Sequence, residues 1–68
     1  MTFAENIKKY RTLRGLTQEE LAAKVGVSGQ AVSKWEQGIG YPEVEKLLLL
    51  SSKLNISLDA LMSVETNQ

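Results

Sequence analysis

Residues 17–38 read Thr17-Gln18-Glu19-Glu20-Leu21-Ala22-Ala23-Lys24-Val25-Gly26-Val27-Ser28-Gly29-Gln30-Ala31-Val32-Ser33-Lys34-Trp35-Glu36-Gln37-Gly38, and the rest of the chain is arranged around them. Thr17 followed three residues later by Glu20 forms a capping box, in which each side chain satisfies the other's backbone N–H at the start of a helix. Leu21, Ala22 and Val25 then fall on one helical face, and Leu16 before the cap is placed to pack onto Leu21. Gly26 can take the left-handed conformation that ends a helix without the penalty a β-carbon brings. Ser28 can cap a second helix, with Ala31, Val32 and Trp35 inward and Gly38 beyond its end. Ala22, Ala23, Gly26 and Ala31 are small enough for the two helices to approach closely at a sharp angle. The stretch therefore predicts two short helices joined by a tight turn.

Before this pair, Thr2-Phe3-Ala4-Glu5 is a second capping box, and Phe3, Ile7, Tyr10 and Leu13 recur at helical spacing until Gly15. Past Gly38, a fourth helix is predicted after Tyr41 with Pro42 at its first position, where a missing N–H is harmless. Its inner stripe reads as Val44, Leu47, Leu48, Ser51 and Leu54, with Leu50 at the edge and Asn55 at the end. Ser57 can cap a last short helix carrying Leu58, Leu61 and Met62. No stretch alternates as a half-buried strand does. The fold class is all-α: a five-helix orthogonal bundle in one domain over residues 1–63, with 64–68 a frayed tail.

Composition narrows the function classes. The chain has no Cys and no His, so no disulfide, no thiolate site and no imidazole base or metal ligand is available. No glycine-rich phosphate loop is present, and Glu19 and Glu20 point in successive directions on a helix, so they form no carboxylate dyad. Five small helices leave little room for a ligand pocket. Catalysis, a metal, a cofactor and a small-molecule ligand are not expected. The longest apolar run is Leu47–Leu50, far below the roughly 20 residues that span a bilayer, and residues 1–10 hold no apolar signal region. A soluble, cytoplasmic protein is expected. The net charge is zero, with 8 basic and 8 acidic residues. Residues 1–38 carry Lys8, Lys9, Arg11, Arg14, Lys24 and Lys34 against Glu5, Glu19, Glu20 and Glu36. The excess of two positive charges there is offset by residues 39–68.

Two helices joined by a tight turn, the second polar on its outer face, form the helix-turn-helix pattern that places one helix in a DNA major groove. The outer face of the second helix offers Ser28, Gly29, Gln30, Ser33, Lys34 and Gln37. Glutamine can pair bidentately with adenine, lysine can donate to guanine O6 or N7, and serine can take either role. Gln18, in the first turn of the preceding helix, sits where free backbone N–H groups and a polar side chain can meet a phosphate together. Ser28, Gln37 and the backbone of Gly38 are further phosphate candidates. Arg14, with Lys9 and Lys24, is a phosphate candidate too, although the sequence leaves the direction of these cations open.

Residues 7–62 resemble the DNA-binding domain of the phage lambda repressor and Cro-type proteins, the Xre family. The resemblance runs through Leu13-Arg14-Gly15-Leu16-Thr17-Gln18-Glu19-Glu20-Leu21-Ala22, through residues 27–38, and through Tyr41-Pro42 and Leu54-Asn55-Ile56-Ser57-Leu58-Asp59-Ala60-Leu61. It implies a lambda repressor-like fold and a sequence-specific transcriptional regulator, expected to be a repressor that occludes a promoter. It further implies a phosphate contact at Gln18, base edges facing Gly29, Gln30 and Lys34, and a structural ion pair between Arg11 and Glu36. A homodimer on a palindromic double-stranded operator is also implied. One position departs from the family: residue 29 usually carries a large polar side chain, and Gly29 has none to read with. Glycine there also costs about 1 kcal/mol of helix propensity.

Plainer readings stand beside these. Gln30 and Lys34 can be ordinary solvated residues, and Arg11 and Glu36 separate surface charges, whereas Trp35 reads as core, not as a stacking platform. Leu49 falls opposite the inner stripe of the fourth helix, beside Lys46 and Lys53. With Ile56, Leu58, Met62 and Val64 it marks a candidate dimer patch. The alternative function is a protein-interaction module that reuses the fold, such as an antitoxin or an assembly subunit; neutral charge and Gly29 favour it.

Overall fold

Local sequence starts four of the five helices. The computed structural model describes residues 2–63, in the order α1 (Phe3–Leu13), α2 (Gln18–Val25), α3 (Gly29–Glu36), α4 (Val44–Leu54) and α5 (Leu58–Met62). Both capping boxes close: Glu5 N donates to Thr2 Oγ1 at 3.2 Å and Thr2 N to Glu5 Oε1 at 2.9 Å. The Thr17–Glu20 pair repeats this at 3.0 and 2.8 Å. Ser28 Oγ and Ser57 Oγ accept from Ala31 N and Ala60 N, opening α3 and α5. The proposed tail, residues 64–68, lies outside the described residues.

The fourth helix departs from expectation in two ways. It starts at Val44 with Glu43 as a cap that makes no side-chain hydrogen bond, so Pro42 precedes the helix and is buried instead of opening it. The stripe is also rotated. Leu50 and Leu54 are fully buried, and Leu47 and Leu49 pack against the core, while Val44 and Leu48 are 72% and 53% exposed. Four consecutive leucines put apolar surface in every direction around the axis, so periodicity alone does not select the face. Leu49, read as pointing away from the bundle, is half-buried against it.

The core collects Phe3 and Ile7 of α1, Leu21, Ala22 and Val25 of α2, Val32 and Trp35 of α3, Leu50 and Leu54 of α4, and Leu61 of α5. α1 packs on α3 and α5, α2 on α3 and α4, and α4 on α5. Asn6 is the buried polar residue of this core. Its amide nitrogen donates to Leu61 O at 2.9 Å and Ser63 O at 2.7 Å, so the end of α5 is tied to α1 through carbonyls the helix itself leaves unpaired. The Phe3 and Tyr41 rings lie 5.2 Å apart, joining the start of α1 to the loop before α4.

Gly26 ends α2 at φ 76°, and a β-carbon there would meet only the Lys46 Nζ at 3.6 Å. Space is thus adequate and the penalty is conformational. Gly26→Ala is expected to lower stability by about 1–2 kcal/mol, the left-handed penalty, readable as a fall in the urea midpoint at unchanged slope.

Candidate nucleic-acid interface

The reading helix candidate, α3, is fixed from behind and open in front. Val32 is fully buried and Trp35 is 7% exposed, so the tryptophan is core. Ser28, Gln30, Lys34 and Gln37 are exposed, and Gly29 and Ser33 half-buried. Gln37 Nε2 donates to Ser33 Oγ at 2.9 Å, linking two of these groups along one side of the helix. Gly38 follows with φ 79° and nothing within 4 Å of a β-carbon built there. The backbone past the end of α3 is therefore open to approach.

A carboxylate sets the orientation of α3 against the rest. Arg11 Nε donates to Glu36 Oε2 at 2.6 Å and Arg11 Nη2 to Glu36 Oε1 at 3.1 Å, a two-pronged pairing of the kind guanidinium geometry favours. The side chains are only 11% and 4% exposed. Arg11 Nη1 also holds Leu16 O at 2.8 Å, and Gln18 Nε2 donates to Glu36 Oε1 at 2.9 Å. The buried Arg11–Glu36 pair thus joins α1, the turn before α2, α2 and α3. A buried pair of this kind adds little net stability but fixes geometry, and removing one member leaves an uncompensated charge.

Gln18 keeps a second amide hydrogen beyond the Glu36 bond. Thr17 Oγ1 and Thr17 O take the N–H groups of Glu20 and Leu21. Those of Gln18 and Glu19 lie in the first turn, where a helix leaves its donors without intrahelical partners. The Gln18 side chain thus starts from the same first turn of α2 that carries these backbone donors.

Arg14 is placed elsewhere. Its Nε donates to Leu54 O at 2.7 Å and its Nη2 to Asn55 O at 3.3 Å. The guanidinium closes the C-terminal end of α4, where a cation complements the helix dipole and the last carbonyls need donors. This structural role stands beside the phosphate role expected from the sequence, and the residue stays exposed. Among the candidate dimer residues, Leu58 and Met62 are each 37% exposed, whereas Leu49 and Ile56 pack against the core. Val64 lies outside the described residues.

Two placements escaped the reading of the sequence. Asn6 sits on the inner face of α1, and the Glu19 carboxylate lies beside Gly29. A polar residue inside the Phe3–Ile7 stripe was a readable signal for the first; the second depends on how α2 crosses α3.

Residues 7–61 match the family described as helix-turn-helix. The chain is 45% identical over 65 residues to the HTH-type transcriptional activator BcrR of Enterococcus faecalis, covering 96% of this chain and 32% of that protein. It is 38% identical over 66 residues to the HTH-type transcriptional regulator YqaE of Bacillus subtilis, covering 97% and 57%. It thus spans about a third to somewhat over half the length of these relatives. Among solved structures, the P22 c2 repressor in complex with a synthetic operator superimposes with a TM-score of 0.89 at 35% identity, covering 96% of this chain and 98% of that one. The match takes in α1, which braces the two-helix unit, and runs on into α5; the chain belongs to the helix-turn-helix family, in its Cro and C1 type.

Proposed function

We propose that this chain is the DNA-reading module of a transcriptional regulator, with α3 lying in the major groove of a specific duplex. Gln30 and Lys34 contact base edges, with Ser33 and the backbone of Gly29 beside them. Gln18 with the N-terminus of α2, Ser28, Gln37 and the Gly38 backbone hold phosphates. The observation that carries this reading is the contrast across α3: its inner side is locked by Trp35, Val32 and Glu36, and its outer side is polar and exposed. The likeness to a repressor solved with its operator supports it. Repression follows where the bound site overlaps a promoter. BcrR is an activator and the P22 c2 protein a repressor, so the module supplies placement and the site's position supplies the sign. A homodimer on a palindromic operator, joined through Leu58 and Met62 near the end of α5, completes the proposal. No described helix is long and apolar enough to cross a membrane.

Salt dependence tests the mode of binding. Phosphate contacts release counterions, so log affinity for the specific duplex should fall linearly with log salt concentration, with a slope of about −0.9 per phosphate neutralised. A folded chain that binds no duplex at any salt concentration would overturn the DNA reading and favour the protein-interaction module.

A further inference from the structure

The place left empty by the missing side chain of Gly29 is filled by Glu19. A β-carbon built on residue 29 would lie 2.5 Å from Glu19 Oε2, 2.7 Å from its Cδ and 3.0 Å from Oε1. The carboxylate therefore stands beside the first residue of α3, next to Gln30, at the end of the helix that enters the groove in helix-turn-helix proteins. Glu19 is exposed, and no ion pair holds it among the described residues. Resting on the proposed reading of DNA by α3, we infer that Glu19 is a specificity-determining residue: it supplies from α2 the base contact that position 29 cannot make, and it selects cytosine.

The chemistry of the base edges makes the choice. An ionised carboxylate only accepts hydrogen bonds. In the major groove guanine presents N7 and O6 and thymine presents O4, all acceptors, which repel it. Adenine presents a donor at N6 beside an acceptor at N7, so a carboxylate meets attraction and repulsion together. Cytosine presents the N4 amino group, a donor flanked by the partner guanine's O6 on one side only and by the non-accepting C5–H edge on the other, whereas adenine N6 lies between two acceptors, its own N7 and thymine O4. The same negative charge disfavours close approach to phosphates, so Glu19 penalises non-specific duplex while contributing at one base pair. In a chain of zero net charge, this shifts recognition from general attraction toward a particular site. A purely structural role is the competing account, because a carboxylate beside the positive N-terminus of α3 is stabilising in its own right.

Base selection and structural support are separable by experiment. Duplexes are selected from a random pool by the wild-type chain and by Glu19→Ala, and single base-pair changes in the recovered site are then measured by fluorescence anisotropy. The expected result is a cytosine preferred by about tenfold at one position of each half-site by the wild type. That preference is lost in Glu19→Ala, the preferences at other positions are kept, and affinity for random duplex rises. Unchanged preferences in Glu19→Ala would overturn the proposal while leaving the DNA reading intact. So would a lowered melting temperature with affinity reduced equally on every sequence. If the folded wild type enriches no sequence, both readings fall together.

Discussion

Arg11→Ala is expected to lower the unfolding free energy by about 3 kcal/mol, the low end of the cost when a buried pair loses one member. The Glu36 carboxylate, 4% exposed, would keep only the Gln18 amide as a partner, and Leu16 O would lose its donor as well. A chain of 68 residues has roughly 3–10 kcal/mol of stability in total, so this single truncation removes about 30% of it or more. Urea unfolding followed by circular dichroism reads the effect as a shifted midpoint. The double variant Arg11→Met with Glu36→Leu should recover most of the loss, because apolar groups of similar volume remove both desolvation penalties at once. Its DNA binding should nonetheless stay weakened, since Gln18 would lose the carboxylate that orients it. A loss below about 1 kcal/mol for Arg11→Ala would place the pair with exposed salt bridges, which contribute little. The fixed attitude of α3 would then need another cause.

Gln30→Ala and Lys34→Ala are each expected to weaken binding to the specific duplex by about 1–3 kcal/mol, roughly 5- to 150-fold, and to relax discrimination at one base position. Both residues are exposed and contribute nothing to the core, so melting temperatures should move little. A variant that loses affinity without losing stability has lost a contact with the ligand and not the fold. If instead Lys34→Ala weakened all duplexes equally and reduced the salt slope by about one, Lys34 would be a phosphate ligand. The reading surface would then rest on Gln30 and Ser33, with Glu19 beside them.

The features legible in the sequence were those that depend on neighbours along the chain. The boxes Thr2–Glu5 and Thr17–Glu20, the caps Ser28 and Ser57, and the stop signals Gly26 and Asn55 act within three or four residues. They fix α1, α2, α3 and α5 and the end of α4 where they were expected. Features that depend on the third dimension were harder. Leu47–Leu50 offer apolar surface on every side, and the choice of Leu50 over Leu48 for the core follows from where α2 and α5 meet α4. A long flexible cation such as Arg14 reaches whatever acceptors lie near it, and those turned out to be Leu54 O and Asn55 O, some forty residues away. Gly29 stood out in the sequence as a missing side chain, but that Glu19 fills its place depends on the crossing of two helices.

Whether α3 reads base edges through Lys34 and its neighbours is decided by changing what is read. Sequences are selected from a random duplex pool at near-physiological salt by the wild type and by Lys34→Gln. Lysine donates to guanine, whereas glutamine pairs with adenine N6 and N7. The prediction is two related motifs, each with half-sites about one helical turn apart, that differ by guanine becoming adenine at one position of each half-site. Identical motifs from both proteins, or no motif from a folded wild type, would contradict it.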